Sequence, residues 1–357
     1  MSNTRCIVYV ARFAPGRDGG IQALHLDADD GTLSIGPHSG DGQVFFLAAS
    51  GRPDRLYSLR AEKFNAPEHE EEVVAWEIVG EDGALREIGC ARTHGLATCY
   101  LSADPDGRFL LAANYTGGSL VSFPLDARGA PGEAASVIRL EGSSVHPRQT
   151  SPHPHSFLSL PGNGGVMHAY AADLGSDRIF GFTIDPDTAQ CVPMEPGFCA
   201  AAPGSGPRHL VAHPGGRFLY AIDELSNTVT IYERNADTGA LTRRQQVSSL
   251  PSDFAGESFG GDMAISPCGG FLYATNRGHD SIAVFRIEAD GELVRQAVVP
   301  SGGKGPQNLA FTPDGCWLLC ANLPAGQITV FRVAADGLPV AAGQPFAAPA
   351  PSCLLVR

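Results

Sequence analysis

The sequence predicts an all-β, seven-bladed β-propeller. Three observations carry that prediction: a repeat of about 50 residues, four short strand-like runs in each copy, and strand sequences left over at both ends of the 357-residue chain. Each copy holds a short apolar run, a Pro-Gly-type turn, a second apolar run ending on a polar residue, and then an alternating strand that often closes on Asp-Gly. The clearest copies span residues 101–114, 210–223, 263–276 and 309–322.

The turn prolines stand at Pro53, in a degenerate copy, and at Pro105, Pro161, Pro214, Pro267 and Pro313, at intervals of 52, 56, 53, 53 and 46 residues. A four-stranded blade that buries both faces against its neighbours needs such a period, whereas helical solenoids differ in period and composition. The strands read from alternation and β-branched or aromatic content, as in Thr228-Val-Thr-Ile-Tyr-Glu and Ser281-Ile-Ala-Val-Phe-Arg. Six copies cover roughly residues 43–340. The remaining pieces are N-terminal strands over 5–11 and 21–26 and a C-terminal Pro351-Ser-Cys-Leu-Leu-Val that resembles the first strand of an unfinished blade. Joining them completes a seventh blade, closes the ring and removes its sheet edges, so the whole chain is expected to form one domain.

Bulk properties agree. The 43 Gly and 27 Pro serve tight turns, and a net charge of −13 with no basic tract argues against nucleic acid as a partner. Acidic residues gathered over 68–72 read as solvated surface. No signal peptide is apparent and no apolar run is long enough to span a membrane. Nine cysteines lack Cys-x-x-Cys pairing; Cys316 and Cys320 read as buried small apolar residues on one strand face, and the expected setting is reducing cytosol. A monomer is the default expectation.

Strand geometry then points to a site. The first two strands of each unit are antiparallel, so the start of the first and the end of the second meet opposite the Pro-Gly turn, at one rim of the central channel. First-strand starts carry His155, Arg208 with His209, Asp262, and Gln307 with Asn308. Second-strand ends carry Asn114 with Tyr115, Asp173, Asp223 with Glu224, Asn276 with Arg277, and Asn322. Asn114, Asp173, Asp223, Asn276 and Asn322 recur in register, which favours a structural duty toward the following loop. Residues that do not repeat are the better functional candidates. Glu224 reads equally as a site carboxylate or as the partner of a structural ion pair, and Arg208 and Arg277 either as structural partners or as a clamp for a carboxylate or phosphate. His155 gains weight from its convergence with Glu224, while His153 lies one position outside the rim. The His-Pro-His run has no accompanying ligand spacing that supports a metal.

Four segments carry a resemblance: Pro152-His-Pro-His155-Ser, Gly206-Pro-Arg208-His209-Leu, Asp223-Glu224-Leu-Ser-Asn-Thr-Val and Thr275-Asn276-Arg277-Gly-His-Asp-Ser-Ile-Ala-Val-Phe. At these residues the chain resembles the seven-bladed lactonase family, which includes bacterial 6-phosphogluconolactonases of the propeller type and fungal 3-carboxy-cis,cis-muconate lactonizing enzymes. The resemblance implies a cleft at the channel mouth with His155, Arg208, Glu224 and Arg277 at the active-site positions. It implies no metal and no cofactor, unlike the calcium-dependent propeller lactonases. Two departures stand out: Gln307 where some members carry Arg, and Tyr100 where some carry His.

The activity so implied is metal-independent hydrolysis of an anionic sugar lactone, 6-phosphogluconolactone, a step of the pentose phosphate pathway. Glu224 is the expected base, its pKa raised by partial burial, and His155 returns the proton or orients the water. The expected substrate contacts are Arg208, Arg277, His209, Asn114, Tyr115, Asp262 and Gln307. The alternatives are hydrolysis of an unphosphorylated lactone, toward which Gln307 and Tyr100 point, and two readings that use the same residues differently. In a carboxymuconate-type cycloisomerase the arginines hold carboxylates, and in a binding scaffold the fold persists without chemistry.

Overall fold

A strand with apolar residues on both faces must be covered twice, and second strands such as Phe109–Asn114, Phe218–Asp223 and Trp317–Asn322 are buried along their whole length. The computed structural model, which describes residues 5–357, covers them by arranging seven antiparallel sheets in a ring. Six sheets have four strands; in the seventh the outer position is shared by Pro339–Ala341 and Phe346–Ala347. The first strand of each blade lies innermost and packs against the first strands of both neighbours.

Closure follows the expectation from the two chain ends. Pro351–Val356 pairs with Arg5–Arg12, which continues to Gly20–Asp27 and Leu33–Ser39, making blade 1 from both termini. Blades 2 to 7 begin at Gln43, Thr98, Pro154, Pro207, Phe259 and Pro306. Seven apolar clusters fill the seven blade-to-blade interfaces. One joins Val8, Val10 and Leu354 of blade 1 to Trp317, Leu319 and Ile328 of blade 7 across the closure.

Polar pins repeat with the blades. Tyr170, Tyr220 and Tyr273 each donate to a turn carbonyl in the next blade, Gly239, Gly291 and Gly337, at 2.7, 3.1 and 2.6 Å. The last two glycines have φ of +83° and +81°, and a Cβ there would meet Phe218 at 2.6 Å and Phe271 at 2.4 Å. These contacts explain the tyrosines of the repeat and its Asp-Gly closures.

Two expectations about burial need correction. Within the acidic run, Glu71 is buried: its carboxylate accepts from the backbone N–H groups of Asn65, Ala97 and Thr98 at 2.9, 3.0 and 2.5 Å, tying blade 2 to the loop that opens blade 3. An acidic run read by composition alone hides which member turns inward. Cys316 is exposed in the turn before Trp317–Asn322, whereas Cys320 on that strand is buried, so the two do not share a buried face.

Candidate active site

Every inner strand opens with a register shift that leaves an extra residue opposite the second strand. In blades 3, 4, 5 and 7 the extra residue is Cys99, His155, Arg208 and Gln307; in blade 1 it is Ser352. Blades 2 and 6 place Phe45 with Phe46, and Gly261 with Asp262, in the same position. A bulge re-aims a side chain out of the alternation that would otherwise send it between blades. The sevenfold bulge is thus what turns first-strand starts into a rim of site residues.

Three arginines converge on one carboxylate. Glu224 Oε2 lies 3.1 Å from Arg208 Nε and 2.7 Å from Arg277 Nη2, and Oε1 lies 2.7 Å from Arg148 Nη2. Glu224 directly follows its strand, and its N–H donates to Gly206 O at 2.7 Å, fixing it beside the bulge that carries Arg208. Arg208 is held by Gly261 O at 2.7 Å, and Arg277 by Gly260 O at 2.8 Å. Burial alone would raise the Glu224 pKa; Arg277, Arg208 and Arg148 outweigh it and hold the carboxyl well below the usual carboxylate range. The expectation of a raised pKa is therefore corrected. Its cause is the number of cations, one of which the blade repeat does not reveal.

That cation is Arg148. It comes from the linker between blades 3 and 4, outside the repeat, and its Nη2 also donates to Tyr115 Oη at 3.1 Å. Buried Gln149 secures the linker, its side chain donating to Leu174 O at 2.8 Å and its Oε1 accepting from His146 N at 2.9 Å. Only a basic residue in an acidic chain marked this position in the sequence.

Both imidazoles are held by buried neighbours. Burial pushes the Cys99 thiol up to about 12, so it keeps its hydrogen, and its Sγ lies 3.4 Å from His155 Nδ1. A thiol can donate to or accept from that nitrogen, and this contact from blade 3 holds the ring in place. His209 sits between a pure donor and a carboxylate, with Nε2 3.1 Å from Arg208 Nη1 and Nδ1 2.7 Å from Asp262 Oδ1. Its proton therefore lies on Nδ1. Burial, then the Arg208 charge, lowers both imidazoles well below their ordinary value, so both are neutral near pH 7. Of the two roles expected of His155, returning the proton or orienting the water, a neutral imidazole suits the second.

The expected contacts divide into two groups. Arg208, Arg277, Tyr115 and His155 gather with Glu224; Tyr115 stacks on His153 and meets His155 edge-on, with ring centroids 4.6 and 5.3 Å apart. His209, buried behind Arg208, contacts His155 and Tyr100 edge-on at 5.1 and 5.2 Å. Asp262 serves His209, Asn308 and the Leu309 N–H, so it positions the imidazole. Burial raises it to about 6. Asn114 as a substrate contact is corrected: fully buried, it bonds Thr93 O, Ser119 and Thr98, leaving nothing to present to a ligand. Its counterparts Asp173, Asn276 and Asn322 likewise bond neighbouring loops. Gln307 is buried at its bulge in blade 7. Among the described residues no three or more His, Cys, Asp or Glu converge as a metal-ligand set.

Three guanidinium groups against Glu224 leave an excess of two positive charges, and of one if Asp262 is counted as ionised. The mouth of an acidic propeller is thus locally cationic, with a carboxylate and neutral imidazoles beside the cations. Fold and site together define a seven-bladed propeller with a cluster of cations, a carboxylate and neutral imidazoles at its rim.

The chain belongs to the lactonase family of seven-bladed β-propellers, whose model matches residues 7–356. It is 32% identical over 307 residues to a 6-phosphogluconolactonase of Bacillus subtilis, covering 85% of this chain and 84% of that protein. Two solved structures superpose with a TM-score of 0.89. One is a provisionally assigned 6-phosphogluconolactonase of Bacteroides fragilis, 29% identical and covering 100% of this chain and 99% of that one. The other is the periplasmic gluconolactonase PpgL of Pseudomonas aeruginosa, 28% identical and covering 99% of each.

Proposed function

We propose that the protein hydrolyses 6-phosphogluconolactone to 6-phosphogluconate. The observation that carries this reading is the excess of guanidinium charge around Glu224, which suits a substrate bearing a phosphate dianion beside a lactone. Arg148 supplies a cation that Gln307 does not.

Hydrolysis needs a base for water, a stabiliser for the oxyanion and a proton for the departing ring oxygen. Neutral His155 orients the water through a ring nitrogen, and Glu224 takes the water proton as oxygen bonds to the carbonyl carbon. Arg208, buried and fixed by Gly261 O, faces the developing oxyanion. As the carbon–oxygen bond of the ring breaks, Glu224 returns the same proton to the leaving oxygen. One carboxylate therefore serves as base and then acid, and no protonated imidazole is required. Arg277 and Arg148 hold the phosphate. A cytosolic setting goes with a phosphorylated sugar substrate and with nine free thiols.

The test is hydrolysis of freshly generated 6-phosphogluconolactone, corrected for spontaneous opening, with Glu224→Gln alongside. Loss of a positioned acid–base group should cost about 10²- to 10⁴-fold in turnover. A second reading, hydrolysis of an unphosphorylated aldonolactone, is favoured by Gln307 and by likeness to a gluconolactonase; activity on glucono-δ-lactone with none on its 6-phosphate would select it. Inactivity on both, with no effect of the substitution, would favour a binding scaffold.

A further inference from the structure

Glu224 is a paradox as a base, since a carboxylate held by three guanidinium groups has little tendency to take a proton. The arrangement also suggests how it is released. We propose that Arg148 is a substrate-operated gate: the phosphate of the bound lactone draws the Arg148 guanidinium off Glu224 Oε1, and the uncovered oxygen then accepts the water proton. This rests on the lactone-hydrolysis reading and names which residue couples the substrate's anionic end to its reacting end.

Three features single out Arg148 among the arginines. Its side chain is 40% exposed, against 1% for Arg208 and 24% for Arg277. Arg208 and Arg277 donate to backbone carbonyls of blade 6 that no substrate would displace, whereas Arg148 is steadied only by Tyr115 Oη and the Phe259 ring, its Cζ 5.7 Å from the ring centroid. Its backbone, by contrast, is fixed: Gln149 N donates to His146 O at 2.8 Å and Ser144 N to Gln149 O at 2.9 Å, while the Gln149 side chain is buried. A long side chain on a fixed stem can exchange one anion for another without rearranging the loop.

The exchange is favourable on chemical grounds. A phosphomonoester carries about −1.5 to −2 charge and three acceptor oxygens, so it competes for a guanidinium better than one carboxylate oxygen does. The groups facing Glu224 are Arg148, Arg208, Arg277 and His155, with Tyr115 and Cys99 behind them. Withdrawing one of the three cations strengthens Glu224 as a base, and only Oε1 is uncovered, since Oε2 keeps Arg208 and Arg277. A lactone lacking the phosphate binds without opening the gate.

Splitting the substrate into two parts tests this directly. Hydrolysis of glucono-δ-lactone is measured with and without phosphite dianion, against enzyme-free controls, for the wild type, Arg148→Gln and Arg148→Lys. Phosphite should accelerate wild-type hydrolysis by about 10-fold or more, the scale of a charge-assisted hydrogen bond. The acceleration should vanish in Arg148→Gln and be partly retained in Arg148→Lys. Arg148→Gln should also lower the preference for 6-phosphogluconolactone over glucono-δ-lactone by ~10- to 100-fold. Thermal unfolding checks that each variant is folded, and Arg148→Lys reports on the gate if Arg148→Gln is not. Hydrolysis of the phosphorylated lactone with no phosphite effect, or with an effect that survives Arg148→Gln, overturns the gate alone. No hydrolysis of either lactone overturns the functional reading and the gate together.

Discussion

Replacing Glu224 by Gln should reveal how heavily the site leans on one negative charge. The substitution keeps shape but leaves Arg208, 1% exposed, and its two neighbours without a counter-ion. Breaking a buried ion pair from one side costs about 3–5 kcal/mol. An unfolding entropy of ~2.1 cal/mol/K per residue over 357 residues gives about 0.75 kcal/mol/K, so Tm should fall by roughly 4–7 °C. The sign with pH follows from the lowered Glu224 pKa. Its stabilisation is present above the unfolded carboxylate value and is lost as pH falls through the folded one, so the gap between wild type and variant should narrow below about pH 4.5. Phosphate should narrow it too, because an anion bound at 100 times its Kd adds about 2.7 kcal/mol, or ~3–4 °C here. Differential scanning calorimetry at pH 7.5 and pH 4, with and without phosphate, reads all three effects. An unchanged Tm at pH 7.5 with no response to phosphate would refute the idea that Glu224 is the necessary counter-charge of a buried arginine cluster.

Other substitutions probe the frame around the site. Asp223 occupies the position held by Asn114, Asn276 and Asn322 in other blades, its Oδ1 has no partner, and burial raises its pKa to about 6. Asp223→Asn should therefore stabilise at pH 8 by about 1 kcal/mol. A raised carboxyl contributes stability below its unfolded pKa and loses it as pH rises through the folded one, so chemical denaturation should show the gain fading between pH 6 and pH 4. Glu71→Ala strands the buried Ala97 and Thr98 N–H groups and should cost ~2–6 kcal/mol, read as a lower denaturant midpoint.

Blade count, closure by the two termini and the polar rim were legible because each is written in a periodic feature: turn prolines, alternation, and a polar residue ending each second strand. Glu224, Arg208, Arg277 and His155 were legible as departures from that period. What escaped the sequence lies outside it or depends on geometry that alternation does not encode. Arg148 stands in an irregular linker, and its role emerges only when the linker crosses the mouth. The bulges were invisible because one extra residue in a strand leaves the apolar pattern almost intact. Asn114 and Glu71 show the converse. Each is polar at a plausible surface or rim position, and only the direction of its hydrogen bonds shows that it serves the backbone.

The bulge also explains why a nearly sevenfold frame yields one off-axis site. Every blade offers the same re-aimed position, yet the occupants differ: Ser352, Phe45 with Phe46, and Gln307 on one side of the ring, and Cys99, His155, Arg208 and Asp262 across blades 3 to 6. Neighbouring blades must cooperate for these to work. Cys99 of blade 3 contacts His155 Nδ1 in blade 4, and the Asp262 carboxylate of blade 6 faces His209 Nδ1 in blade 5. Second-strand ends then supply Glu224 and Arg277 to the same arc. The candidate site so built is held partly across blades, as Arg208 is by Gly261 O, and partly within one, as Arg277 is by Gly260 O, and interface packing fixes the distance between blades. The one exception is Arg148, contributed by a linker. Of the three guanidinium groups at Glu224 it is also the one without a backbone carbonyl to hold it among the described residues, which is what the proposed change of partners needs.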